Sequence, residues 1–173
     1  TNDPTKRYYY TLLFDDKYRV KIATRNINIP GVQNFRDLGG YPSYSTKKQM
    51  RWGMIYRSAE IDSLECSSRR EFKNLGIKTL IDLRASSEIG RQSPLQKGFN
   101  VVHIPLATGD MEGILKGIRE EKIKSDTVYR MVERMNRILI DQYTKEYRQI
   151  FDILLDSANY PVVIHCSSGK GRT

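Results

Sequence analysis

The residues with the most chemistry in this chain are the last nine, His165-Cys166-Ser167-Ser168-Gly169-Lys170-Gly171-Arg172-Thr173. They follow Val162-Val163-Ile164, an apolar run that reads as a buried strand. A cysteine at a strand end and an arginine six positions later, with glycines between, suit a loop that curls around an anion. Successive backbone N–H groups in such a loop point inward as a nest. A helix beginning at the far end would add its positive dipole. That field favours thiolate, and the thiolate is the nucleophile. Arg172 then grips two phosphate oxygens with its planar fork, Ser167 through Gly171 line the anion, and Lys170 adds charge at the mouth. Gly169-Lys170 is not a nucleotide-binding loop, because that motif needs a glycine where Ile164 stands.

The segment resembles the C-x5-R signature loop of cysteine-dependent phosphatases. Upstream, Asn34-Phe35-Arg36-Asp37-Leu38-Gly39-Gly40, Tyr56-Arg57-Ser58-Ala59-Glu60, Leu75-Gly76-Ile77, Ile81-Asp82-Leu83-Arg84 and Glu146-Tyr147-Arg148-Gln149 resemble one branch of that superfamily, the bacterial tyrosine and dual-specificity phosphatases. The motifs fall in the family's order from about Ile29 onward. The resemblance implies that Cys166 attacks phosphorus to form a phosphocysteine. Arg172 would stabilise charge on the equatorial oxygens. It further implies that the Thr173 hydroxyl supports the thiolate and that His165 orients the loop without acting as general base. No metal or other cofactor is implied.

The general acid departs from the pattern. Many bacterial relatives carry an aspartate immediately before the signature arginine, where this chain has Gly171. The substitute is Asp110, shortly after the strand ending Ile104-Pro105-Leu106, with Glu112 as fallback; Asp110 also reads as a solvated loop or cap residue. Phosphotyrosine protein is the first-choice substrate. Phosphoserine or phosphothreonine and inositol lipids are alternatives within the same chemistry. The inositol-lipid enzymes usually have a second lysine after the cysteine, where Ser167 stands here. Arg36, Asp37, Arg57 and Arg84 read as residues holding the loops around the pocket, with Arg36 or Arg57 also within range of substrate. From another class, a silent phosphate-binding module fits a loop without its acid. A sulfurtransferase loop does not fit the arginine spacing.

Bulk properties agree with a globular domain. Hydrophobic residues make up 39% and charged residues 28% of 173, so a core is affordable to the chain and disorder is not indicated. A net charge of +9 suits phosphorylated proteins or phosphoinositides. Nucleic acid is not expected, because the basic residues are spread along the chain without a binding motif. No apolar run is long enough for a transmembrane helix. Two cysteines, Cys66 and Cys166, make neither a disulfide framework nor a zinc pattern. Cys66 reads as a semi-buried helix residue.

The elements that must position the loop form an α/β domain with a central, largely parallel sheet flanked by helices, as in protein tyrosine phosphatases. Residues 8–14 and 18–23 predict a β-hairpin around Asp15-Asp16-Lys17. Residues 1–27 are either the end of an upstream β module or extra strands on the phosphatase domain, which takes up 28–173. Residues 28–50 are loop-rich and 51–57 suit a strand. A helix from Ser63 to Leu75 closes at Gly76. Strands follow at 77–83 and 100–106. Val128, Met131, Val132, Met135, Ile138 and Leu139 predict a helix over 127–143, capped by Ser125 or Asp126. A helix over 146–157 is expected to bury Tyr147, Ile150, Phe151, Leu154 and Leu155, and a strand at 161–165 leads into the loop. The family continues beyond the loop into further helices, so the sequence is expected to be one piece of a longer polypeptide. Relatives of this branch are often exported, which implies an extracytoplasmic setting.

Overall fold

The computed structural model describes residues 7–62, 66–89, 98–107 and 111–173, with the side chains of residues 66, 111, 112, 115 and 125 outside that description. A five-stranded sheet forms its centre, in the order β3-β6-β9-β7-β8. The strands are β3 (Arg36–Asp37), β6 (Ile55–Ser58), β7 (Thr79–Asp82), β8 (Asn100–His103) and β9 (Val162–His165). Only β3 runs antiparallel, against β6; the β6–β9, β9–β7 and β7–β8 pairs are parallel. β7 and β9 are apolar on both faces because both faces are covered.

On one face α1 (Cys66–Asn74) sets Phe72 against Phe35, Tyr56, Leu80 and Val163. Gly76 ends this helix with φ +68°, as expected from its position. On the other face α4 (Thr144–Leu155) sets Ile150 against Ile81, Leu83, Val162 and Cys166. Leu139, from α3 (Ser125–Gln142), joins that cluster. A further helix, α2 (Met111–Arg119), has no counterpart in the sequence reading.

Three expectations need correction. Phe151 and Leu155 are 63% and 83% exposed, not buried. Ile150 points at the sheet, and Phe151 and Leu155 share a stripe about 100° round the helix, where the described residues do not cover them. The α3 cap is Lys124, with no side-chain hydrogen bond; its carbonyl accepts the Thr127 and Val128 N–H groups, and Ser125 is already helical. Within 51–57 only the end forms strand, as β6.

The N-terminal hairpin is β1 (Tyr9–Phe14) and β2 (Tyr18–Ala23), a two-stranded ribbon apart from the main sheet. Arg7 at its base makes a 2.8 Å ion pair with the fully buried Asp37. The Trp52 indole N–H donates to the Lys21 carbonyl at 2.9 Å. A second small ribbon pairs β4 (Pro42–Ser43) with β5 (Lys48–Gln49).

Parallel strands put their carboxyl ends on one edge, and in such sheets the ligand crevice lies outside that edge. Here the edge gathers Ser58, Asp82, His103 and His165, the last residues of four strands.

Candidate active site

Cys166 is the first residue past β9, the central strand, and is buried as a free thiol. The Leu83 N–H donates to the His165 carbonyl at 2.9 Å, so the strand is held up to the start of the loop. The loop then folds back over its own sulfur: the Gly169 N–H points at Cys166 Sγ from 3.3 Å. Gly169 makes this possible. Its φ is +66°, and a Cβ there would lie 2.4 Å from the Ser58 carbonyl carbon and 2.5 Å from the Ala59 nitrogen. No other residue both takes that conformation freely and fits that gap.

Burial by itself would raise the Cys166 pKa. The buried Thr173 hydroxyl and the N–H groups of Lys170, Gly169 and Ser168 outweigh it, and the net shift is downward. The Thr173 oxygen stands near the sulfur without meeting full hydrogen-bond geometry to any described group.

The loop carbonyls face outward and are tied to neighbouring segments. Ser168 O accepts from Asn34 Nδ2 at 2.8 Å. Gly169 O accepts from Arg57 Nη2 at 2.9 Å and Arg36 Nη2 at 3.3 Å, and Lys170 O accepts from Arg57 Nη2 at 2.8 Å. Ser167 O accepts the Glu60 N–H at 3.3 Å. The Lys170 side chain is exposed.

Arg172 returns to the cysteine from the far end of the loop. Its fork is gripped by a residue the sequence reading did not single out, Glu88, on a short 3-10 turn at Ser86–Glu88. Nη1 donates to Glu88 Oε2 at 2.5 Å and Nη2 to Oε1 at 2.7 Å. Nη1 also reaches Leu106 O at 3.2 Å, and Nη2 reaches Ser167 Oγ at 2.9 Å. Ser167 donates its hydroxyl to Glu88 Oε1 at 2.5 Å. The guanidinium holds the Glu88 carboxyl down at about 2, and the carboxylate raises Arg172 in turn. A bidentate pair of this kind fixes the plane of the fork.

Beneath the loop lies a buried charge cluster. Arg84 is 1% exposed and donates Nε and Nη2 to Asp82, with further contacts to Asp62 and a 3.6 Å approach to Glu60. Burial opposes the ionisation of Asp82, but the hydrogen bonds from Arg84 prevail and lower its pKa. His165 Nδ1 is 3.8 Å from Asp82 Oδ1 and has no hydrogen-bond partner among the described residues. Burial depresses the His165 pKa to about 4, so the ring is neutral at pH 7.

Of the residues expected at the site, Cys166, Ser167, Ser168, Gly169, Lys170, Gly171, Arg172, His165 and Thr173 come together in one loop. Asp110 lies outside the described residues. Glu112 falls in α2, and its side chain is likewise outside the description. Cys66 begins α1. Among the described residues no cluster of three or more histidine, cysteine, aspartate or glutamate side chains is arranged for a metal ion.

A parallel-stranded α/β sheet that launches a thiol, a nest of N–H groups and a clamped arginine from its central strand defines a class of phosphate-handling protein. The chain belongs to the tyrosine phosphatase family, whose pattern matches residues 27–173. It is also similar to the triple specificity protein phosphatase PtpB of Mycobacterium tuberculosis (strain ATCC 25618 / H37Rv). The two are 29% identical over 167 residues, covering 84% of this chain and 59% of the relative. The chain thus spans about three fifths of that protein's length. No described helix is long and apolar enough to cross a membrane.

Proposed function

We propose that this protein hydrolyses phosphate monoesters through a phosphocysteine, with phosphotyrosine protein as its first substrate. Cys166 Sγ attacks phosphorus and the P–O bond to the leaving oxygen breaks. Arg172 and the loop N–H groups take up the charge on the three equatorial oxygens. Asp110 gives the leaving oxygen its proton. Water then attacks the phosphocysteine, with the same carboxylate as base, and releases inorganic phosphate.

The observation that carries this reading is the Gly169 N–H aimed at the buried Cys166 Sγ from 3.3 Å, in a loop whose neighbouring N–H groups help to lower the thiol pKa. A structural cysteine in an apolar core has its pKa raised instead. The name of the mycobacterial relative supports a specificity broader than one phosphoamino acid, and the exposed Lys170 leaves room for phosphoinositides. A second reading, a silent phosphate-binding module, is favoured by one feature, Gly171 in place of aspartate.

The test is hydrolysis of an aryl phosphate by the wild-type protein beside Cys166→Ser, in a metal chelator. Its leaving group needs little help from an acid, so an enzyme with a weak acid still turns it over. Chelator-resistant turnover that falls to background in the serine variant is expected. No turnover from folded protein that still binds inorganic phosphate would establish the silent module instead.

A further inference from the structure

A peptide unit is planar and carries its C=O and the following N–H on opposite sides. Turning an N–H inward therefore turns the preceding carbonyl out. The N–H groups that act on Cys166 belong to Ser168, Gly169 and Lys170. The carbonyls of those same three units are Ser167 O, Ser168 O and Gly169 O. Each is held from outside, by the Glu60 N–H, by Asn34, and by Arg57 with Arg36. Arg57 also holds Lys170 O, in the next unit. Every unit that turns its N–H toward the thiol thus has its carbonyl held from outside, and the Gly169 N–H among them stands 3.3 Å from Sγ.

Arg57 is an unusual choice for this task. Burial and the neighbouring Arg36 both work against its charge. Among the described residues neither arginine is ion-paired to a carboxylate, while Arg7, Arg84, Lys122, Arg137 and Arg172 are. Two adjacent, partly buried guanidinium groups spent on carbonyl oxygens cost stability. A cation on a carbonyl also polarises the peptide and strengthens its N–H as a donor.

We infer that Arg57, assisted by Arg36 and Asn34, is a positioning residue that pins the outward carbonyls and so keeps the loop N–H groups aimed at the sulfur and at any phosphoryl group bound there. The catalytic consequence rests on the phosphocysteine reading; the aim of the N–H groups at the thiol does not. Arg57 also attracts the thiolate directly by charge; the other groups that bear on Cys166 are Arg172 and Thr173 from the loop, Glu88 behind Arg172, and, from α4, Ile150 in the same cluster with Tyr147 packed against it.

The experiment is iodoacetamide alkylation of Cys166 as a function of pH, read on its own peptide by mass spectrometry, with inorganic phosphate as protecting ligand. Arg57→Met should raise the alkylation midpoint by about one pH unit, a tenfold loss of thiolate below it, and weaken phosphate protection about tenfold. Arg57→Lys should recover part of both, and Asn34→Ala should show a smaller shift in the same direction. An unchanged midpoint in folded Arg57→Met overturns the inference. If that variant does not fold, an unchanged midpoint in Asn34→Ala overturns it. Full recovery by lysine also overturns it, because charge alone would then account for the effect. A wild type whose midpoint moves in the variants but which cleaves no aryl phosphate supports the clamp and refutes the phosphatase reading. Turnover through Cys166 with no movement in the variants does the reverse.

Discussion

Two glycines in this protein have almost the same backbone conformation and opposite surroundings. Gly169 has φ +66° and Gly76 has φ +68°. A Cβ at Gly76 meets nothing within 4 Å, whereas one at Gly169 lies 2.4–2.5 Å from three backbone atoms of Ser58 and Ala59. Gly76→Ala therefore isolates the cost of left-handed backbone, about 1–2 kcal/mol, partly offset by lower entropy in the unfolded chain. Gly169→Ala carries the same cost and adds displacement of β6 backbone, which has no flexible end to yield, at about 1–3 kcal/mol for an overpacked site. At about 2–4 °C per kcal/mol for a chain of this size, Gly76→Ala should lower Tm by about 2–8 °C and Gly169→Ala by about 4–20 °C, each less the unfolded-state offset. The functional contrast is sharper. Pushing the loop from β6 moves the Gly169 N–H off Sγ, and small misplacements of reacting groups cost about 100-fold in rate. Differential scanning fluorimetry and aryl-phosphate turnover on both variants provide the comparison. Equal Tm values together with full activity in Gly169→Ala would refute the claim that close approach, beyond φ alone, demands glycine there.

Three shorter predictions follow from the same geometry. Glu88→Gln keeps the shape but loosens the Arg172 fork, and should lower kcat/KM for aryl phosphate by about tenfold, each factor of ten being about 1.4 kcal/mol. The wild-type Glu88 pKa of about 2 lies below the ordinary 4.5, so its stabilisation is complete above pH 4.5 and is lost as pH falls toward 2; the Tm-versus-pH curve of the variant should be flatter in that window. His165, neutral and depressed to about 4 from 6.5, binds its proton only after unfolding between those values. Stability should fall as pH drops from 6.5 to 4, and His165→Gln should remove that slope in denaturant titrations if it folds. A Cβ at Gly171 would rest 3.4 Å from Met135 Cε, so aspartate fits with a small adjustment. Gly171→Asp should raise turnover of poor leaving groups about tenfold, within what an added general acid supplies, with little change for good ones; a uniform loss would show that the acid cannot act from that position.

The loop was legible because its chemistry sits in nine contiguous residues and needs only local folding to assemble. β1, β2, β7 and β9 were legible through apolar runs bounded by turns. Glu88 was not, since its function depends on Arg172, 84 positions away, and nothing local to Ser86–Glu88 distinguishes that carboxylate from a solvated one. Arg57 could be read as a residue that holds the loops around the pocket, but not as one bound to the Gly169 and Lys170 carbonyls, because peptide orientation is a property of the folded loop. Phe151 and Leu155 misled for a related reason: helical spacing says which residues share a stripe, and tertiary contacts decide which stripe is covered. α2 carries Gly113 and Gly117, poor helix formers that weaken any propensity-based expectation.

The place of β9 bears on how the protein comes into being. β6 and β7 are neighbours along the chain, yet they bond to opposite sides of a strand that is synthesised about 80 residues after β7. A growing polypeptide that has reached only Tyr160 holds two strands with unpaired edges and a slot between them, a condition that invites aggregation. Insertion of Val162–His165 fills the slot, joins the two hydrophobic clusters across the sheet and delivers the thiol in one motion. Closure of the sheet and placement of the thiol thus depend on the same four residues, Val162–His165, so a lesion that loosens β9 damages the core and the active centre together.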